Sequence, residues 1–254
     1  MSSDLELAER AARAAGELLL SYYGRPPEGV DAKSSETDLV SDADREAERV
    51  IRELLAAERP EDGLLAEEGS QAESESGRRW IVDPLDGTVN FLYGFPAWAV
   101  SIALEDEQGL ALGLVLDPVR PELFRAVRGE GATLDGAPIR VSGRTELARA
   151  LVATGFSYEA DRRSAQAELL LTVLPRVRDI RRVGAAALDL CQVAAGRVDG
   201  FYERGLKRWD EAAGRLIIEE AGGVMAQLEG EPAGLVAAGS PELLSELLEL
   251  VSAP

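Results

Sequence analysis

The sequence contains no histidine and a single cysteine, Cys191. Without histidine there is no Ser-His-Asp or Cys-His nucleophile pair, no phosphohistidine intermediate and no imidazole ligand for zinc or haem. With one thiol there is no disulfide framework and no Cys-x-x-Cys metal or redox motif. Long apolar runs are missing too. None approaches the roughly 18 residues of a membrane span, and the start MSSDLELAER has neither the basic nor the apolar region of a signal peptide. A cytoplasmic protein with no membrane partner is the expectation. Asparagine occurs once, as Asn90, and lysine twice, as Lys33 and Lys207.

Acid is present in excess: 46 Asp and Glu stand against 27 Lys and Arg, for a formal net charge of -19. That balance argues against direct binding to nucleic acid, whose phosphates are met by clustered Lys and Arg. Enzymatic chemistry in this chain must therefore run on carboxylates, with Lys, Arg, Ser, Thr and Tyr in support. Carboxylates and water are the ligands that hard cations such as Mg2+ and Mn2+ prefer. A length of 254 residues with 46% hydrophobic content gives one large domain or two small ones, and a sizeable core.

Apolar residues recur every three or four positions from Leu5 to Tyr22, predicting a first helix from a Ser3 cap to Gly24. A loop follows to about Val40. Ser41 or Asp42 then caps a second helix with the apolar face Ala43, Ala47, Val50, Ile51, Leu54 and Leu55, stopped by Pro60. Short strand-like runs at 79–82, 98–104, 110–116 and 123–127, with a tight turn at 105–109, predict an antiparallel meander. From about residue 145 strands and helices alternate: strands at 150–154, 180–183, 198–203, 224–228 and 235–238, and helices at 162–176, 185–195 and 210–221. Ser240-Pro241-Glu242 opens a last helix. The simplest summary is an α+β part over 1–144 followed by an α/β part over 145–254.

The most informative segment is Trp80-Ile-Val-Asp83-Pro84-Leu85-Asp86-Gly87-Thr88-Val89-Asn90-Phe91. Two carboxylates three residues apart diverge on a regular strand. A turn forced by Pro84 and Gly87 aims both at one point, and a helix start at 86–88 offers N–H groups to an anion. Cations held beside an anion-binding helix end suit a metal-phosphate site. An ordinary Asp-Gly turn with a capping aspartate accounts for the same residues. An EF-hand is excluded, because Leu85 and Gly87 stand where ligands are needed. A haloacid dehalogenase-type phosphatase places its two aspartates two apart instead of three. It is the runner-up reading, and it would make Asp83 a covalent nucleophile.

Three further segments matter. Leu64-Leu65-Ala66-Glu67-Glu68-Gly69 is an apolar run ending in paired acids, which a surface loop also explains. Arg208-Trp209-Asp210-Glu211-Ala212-Ala213-Gly214 places Asp210 as an N-cap, with Gly214 allowing close helix packing. The run from Lys33 to Asp44 reads by itself as a solvated charged loop and helix start.

In order, spacing and residue identity these four segments closely resemble the inositol monophosphatase family of Mg2+-dependent, lithium-sensitive phosphatases. The resemblance covers nearly the whole chain, and Asp-Pro-x-Asp-Gly-Thr-x-Asn-Phe with Trp-Asp-x-Ala-Ala-Gly is a highly specific pair. It implies a layered αβαβα sandwich and hydrolysis of inositol monophosphate to inositol and phosphate, with no phosphoenzyme. Glu67, Asp83 and the Leu85 carbonyl would hold one Mg2+, and Asp83, Asp86 and Asp210 a second. A third, weaker ion would use Glu67, and Mn2+ is an alternative metal. Thr88, assisted by Glu67 and paired with Asp44, would orient and deprotonate the attacking water. Gly87 and Thr88 N–H groups would hold the phosphate, with Lys33 adding positive charge. Asp86, Ala186, Glu203 and Asp210 would contact the polyol. Homodimers are usual in this family.

Relatives implied by the same resemblance hydrolyse fructose 1,6-bisphosphate, histidinol phosphate and nucleotide phosphates, so a bisphosphatase or dual-specificity enzyme is an alternative. Lys207, Arg208, Arg162 and Arg163 are the basic residues that could favour a second phosphate. Some bacterial relatives act on the transcription machinery, which makes a regulatory protein-binding role the alternative of another class.

Overall fold

The computed structural model describes residues 3–25, 29–32 and 39–252. The first half runs α1 (Asp4–Tyr22), β1 (Asp31–Ala32), β2 (Leu39–Val40), α2 (Asp42–Glu58), β3 (Gly63–Ala66), β4 (Gln71–Ala72), β5 (Arg79–Asp86) and α3 (Thr88–Leu92). It continues through β6 (Ala99–Asp106), β7 (Gly109–Asp117), β8 (Glu122–Val127), β9 (Gly131–Leu134) and β10 (Ala137–Pro138). The second half runs β11 (Leu151–Thr154), α4 (Ala160–Val173), β12 (Asp179–Arg181), α5 (Ala186–Ala194), β13 (Gly200–Arg204), α6 (Arg208–Glu220), β14 (Val224–Leu228), β15 (Gly234–Ala238) and α7 (Pro241–Ser252).

Two sheets carry the fold. Eight strands are ordered β10-β9-β8-β7-β6-β5-β3-β4, and five are ordered β12-β11-β13-β15-β14. In the larger sheet only β3 and β5 run parallel. α1 and α2 pack together over one face of this sheet, α5 and α6 fill the space between the two sheets, and α7 with α4 covers the far side. The result is the five-layer αβαβα sandwich. Among the described residues, no helix is long and apolar enough to cross a membrane.

Strand alternation decides which layer each side chain joins. Val100, Ile102 and Leu104 of β6 lie in the core under α1 and α2, while Ala99 and Ala103 belong to the core between the sheets. A one-residue slip would exchange those sets, so register is strongly specified. The central layer is tight where the backbone must come close. A Cβ at Gly113 of β7 would sit 2.6 Å from the Ala213 carbonyl oxygen of α6, and one at Gly214 would sit 2.6 Å from Leu190 Cβ of α5. The close packing read for Gly214 is therefore helix against helix.

The first two helices and the meander follow the sequence expectations, with Ser3 and Ser41 as caps. Three readings need correction. The strand at 79–82 does not turn at Pro84 but continues to Asp86. Asp210 is not a cap: the helix begins at Arg208, Lys207 is its N-cap, and Asp210 is its third residue. The loop from 25 to 40 carries the antiparallel pair β1 and β2 at its described ends.

Candidate active site

The parallel pairing of β3 with β5 brings the acids together. Ala66 pairs with Val82, and the Glu67 N–H donates to the Val82 carbonyl at 3.1 Å, so Glu67 stands beside Asp83 at one end of the sheet. Against β6, Asp83 faces Ser101 and Asp86 faces Ala99, so three steps on β5 match two on β6. This bulge holds one extra residue. It turns Asp83 and Asp86, which a regular strand would send to opposite faces, onto the same face. Asp83 is 2% exposed, and its Oδ1 accepts the Leu85 N–H at 3.0 Å.

Four helix starts meet there. Asp44, fully buried in the first turn of α2, accepts the Ser41 N–H at 2.9 Å and the Ser41 hydroxyl through Oδ2. Its Oδ1 accepts the Thr88 hydroxyl at 3.0 Å, a proton that Thr88 shares with the Leu85 carbonyl at 3.1 Å. Thr88 opens α3, whose N-cap Gly87 has φ 91°; a Cβ there would press on Ala97 O and on Ala185 and Gly184 of the second half. Asp86 reaches the start of α5, where Ala186 and Ala187 donate to its two oxygens at 3.1 and 2.8 Å. Asp210 in the first turn of α6 accepts the Lys207 N–H at 2.7 Å.

The charge of this cluster is unbalanced. Burial, followed by the negative charges of Glu67, Asp86 and Asp210, holds the Asp83 carboxyl well above the usual range, and Glu67 hydrogen-bonds to it. Burial pushes Asp86 up to about 7 against the pull of the α5 N–H groups, with Glu67 adding to the rise. Burial also raises Asp210 well above its ordinary value; the Lys207 N–H opposes this, and Glu67, Asp86 and Glu203 add to it. Among the described residues no group of three or more Asp, Glu or Cys side chains is arranged to hold a metal ion, and Asp83, Asp86 and Asp210 each have an oxygen tied to a backbone N–H. The chemistry of the set nevertheless fits a hard divalent cation: every donor is oxygen, and the carboxyls raise one another.

On the second half, Glu203 at the end of β13 is held up to about 8 by burial and by Asp86, with Arg182 opposing. Asn90 donates through Nδ2 to Ala97 O at 2.7 Å and to Val183 O at 3.0 Å, so the lone asparagine ties the first half to the segment leading into α5. Ala186, expected to contact the polyol, has its N–H engaged by Asp86. Lys33 lies outside the described residues.

Sequence reasoning missed two buried acids. Glu48, 4% exposed on α2, accepts the Glu68 N–H at 2.7 Å and the Ser70 N–H at 3.0 Å, pinning the turn that carries Glu67. Asp189, 1% exposed on α5, has an Oδ1 with no hydrogen-bond partner. Burial, then Glu203 and Asp86, raise it well above its ordinary value, against Arg182 and the Val183 N–H. The signal was available in both helices, because each acid falls on an apolar stripe, Glu48 with Ile51 and Leu55 and Asp189 with Ala185 and Val193.

A five-layer αβαβα sandwich with an acidic cluster where four helices begin is the architecture of the inositol monophosphatase/fructose-1,6-bisphosphatase fold class. Within it, the family model described as "Inositol monophosphatase family" matches residues 1–253, and the chain belongs to that family. It is similar to an inositol-1-monophosphatase of Rhizobium meliloti, at 41% identity over 100% of this chain and 97% of that protein. It is also similar to a Nus factor SuhB of Pasteurella multocida, at 39% identity over 99% and 96%. Among solved structures, the extragenic suppressor protein suhB of Bartonella henselae matches with TM-score 0.92 and 40% identity over 98% of each chain.

Proposed function

We propose that the protein is a Mg2+-dependent phosphomonoesterase that hydrolyses inositol monophosphate to inositol and phosphate. The observation that carries the reading is the set Asp83, Asp86 and Asp210, raised by burial and by neighbouring carboxylates that include Glu67, beside a Thr88 hydroxyl held by Asp44. In this reading Glu67, Asp83, the Leu85 carbonyl, Asp86 and Asp210 hold two ions, with a third near Glu67 and Mn2+ as a substitute. Bound cations supply positive charge against the phosphate dianion and acidify the attacking water.

The chain's own residues do the rest. Thr88, with its proton directed at Asp44, offers a lone pair to the attacking water, and Glu67 accepts that water's proton. N–H groups of Gly87 and Thr88 bind phosphate oxygens at the start of α3. Glu203, Asp210, Asp86 and the Ala186 backbone orient the polyol, and attack is in line with no covalent intermediate. The same reading carries inhibition by lithium, a homodimer, a cytoplasmic setting and a small phosphate ester, not nucleic acid, as the partner.

Three of the four basic residues that a second phosphate could use, all but Lys207, have partners of their own. Arg208 donates to Glu105 at 3.0 Å, Arg162 pairs with Glu159 at 3.1 Å, and Arg163 donates to the Ser157 carbonyl at 3.1 Å. A monophosphate is therefore favoured over the bisphosphatase alternative. Rates on a panel of inositol, sugar, histidinol and nucleotide phosphates test this, together with Asp83→Asn and Asp210→Asn. Both variants are expected to be folded and inactive, and wild type inactive in EDTA; full activity in either variant would refute the reading. A second reading, as a protein-binding regulator, is favoured by the Nus factor name of relatives such as that of Pasteurella multocida. It predicts a basic protein partner retained by Asp83→Asn, and pull-down with the purified variant tests it.

A further inference from the structure

The carboxyl of Glu203 sits against a bare α-carbon. Gly155 follows the last residue of β11 and is buried, and β11 pairs in parallel with β13 so that Thr154 faces Tyr202, the residue before Glu203. A Cβ built on Gly155 would overlap Glu203 itself: its three nearest atoms are Glu203 Oε1, Cδ and Oε2. Unlike Gly87, Gly155 does not have the left-handed φ that excludes other residues, so alanine fits its backbone and the nearest conflict is with the carboxyl. The cavity beside this contact, lined by Thr154, Phe156, Gln166 and Leu169, holds about 20 Å³. That is room for one water, so a displaced carboxyl has no second seat there.

We propose that Gly155 is a positioning residue that sets specificity for the alcohol half of the substrate. It leaves the space in which the Glu203 carboxyl is held, and so fixes how that carboxyl meets the substrate's hydroxyls. The inference rests on the phosphomonoesterase reading. It concerns neither the cations nor the phosphate, since Gly155 contacts none of Glu67, Asp83 or Asp210 among its nearest atoms. A methyl at 155 shifts Glu203 and weakens recognition of a polyol, while an ester whose leaving group carries no hydroxyls does not sense the shift.

The test is the ratio of kcat/KM for inositol 1-phosphate to kcat/KM for p-nitrophenyl phosphate, in wild type, Gly155→Ala, Glu203→Ala and the double variant. The expected result is a ratio at least tenfold lower in each single variant, with the double variant within twofold of Glu203→Ala, because both changes remove one interaction. If Gly155→Ala lowers Tm, the double variant recovers it, since the clash is gone. A Gly155→Ala ratio within twofold of wild type, singles whose effects multiply, or a Tm not recovered in the double would each overturn the proposal while leaving the phosphatase reading intact. Wild type inactive on both esters would overturn the two together.

Discussion

Replacing Glu48 by alanine removes a buried side chain that holds the turn after β3. Its carboxylate accepts two N–H groups from that turn, at 2.7 Å from Glu68 and 3.0 Å from Ser70, and is itself 4% exposed. A buried donor stripped of a charged partner costs about 1–3 kcal/mol, and part of that returns if water reaches the turn, so the pair is worth about 2–3 kcal/mol together. For a chain of this size each kcal/mol moves Tm by about 2–4 °C, which predicts a fall of about 5–10 °C. Glutamine keeps the shape but turns an NH2 toward one of the two donors, so Glu48→Gln should fall between wild type and alanine. Thermal unfolding supplies the first measurement. Hydrogen exchange over residues 67–70 supplies the second, with faster exchange expected there and unchanged exchange in α1. Because Glu67 rides on this turn, kcat should fall more than the loss of folded protein explains. An alanine variant within 1 °C of wild type, or with unaltered exchange at 67–70, would refute the reasoning.

Gly113→Ala places a methyl 2.6 Å from the Ala213 carbonyl; the strain should cost about 1–3 kcal/mol, read as a lower urea midpoint with unchanged m. Asn90→Asp sets a carboxylate against the Ala97 and Val183 carbonyls that now accept from Nδ2; it should lower Tm more than Asn90→Ala, and an equal or smaller loss would count against the bridge. Glu203 binds its proton more tightly folded, at about 8, than its ordinary 4.5. The native state therefore holds more protons across that window, and stability in cation-free buffer should fall as pH rises from about 4.5 to about 8. Glu203→Gln should flatten part of that slope, and an identical slope in both proteins would show that Glu203 is not its source.

Much of this site was legible because the relevant signals are local. Helix periodicity and Ser caps located α1 and α2, and the Asp-Pro-Leu-Asp-Gly-Thr run marked Asp83, Asp86 and Thr88 from residue types alone. The bulge was not legible. Whether a chain absorbs an odd spacing by turning or by inserting a residue depends on its neighbour, and here β6 continues alongside to Ala99. Asp86 as the partner of a helix start a hundred residues away was hidden for the same reason. Strands β9 and β10 are short, two to four residues, and half-exposed or exposed for the most part, so no alternation could reveal them. Glu48 and Asp189 belong to no motif, and a charged residue on a helix is ordinarily exposed, so only their places on apolar stripes mark them.

The starts of α2, α3, α5 and α6 explain how so many carboxylates tolerate burial together. Each helix start presents about half a positive charge, and Asp44, Asp86 and Asp210 take hydrogen bonds at or beside such starts. Were that charge sufficient, these acids would titrate in or below the ordinary range, as Glu122 does, held down by its hydrogen bond to Arg197. Instead Asp83, Asp86 and Asp210 all lie above it, Asp86 at about 7 even with its oxygens on the α5 N–H groups. The protein fold therefore supplies part of the compensation and leaves negative charge unmet at one point. No basic side chain figures among the main influences on these three acids. Neutral pH leaves two ways to meet that demand, protons or cations, and an all-oxygen donor set is the kind that hard divalent cations take.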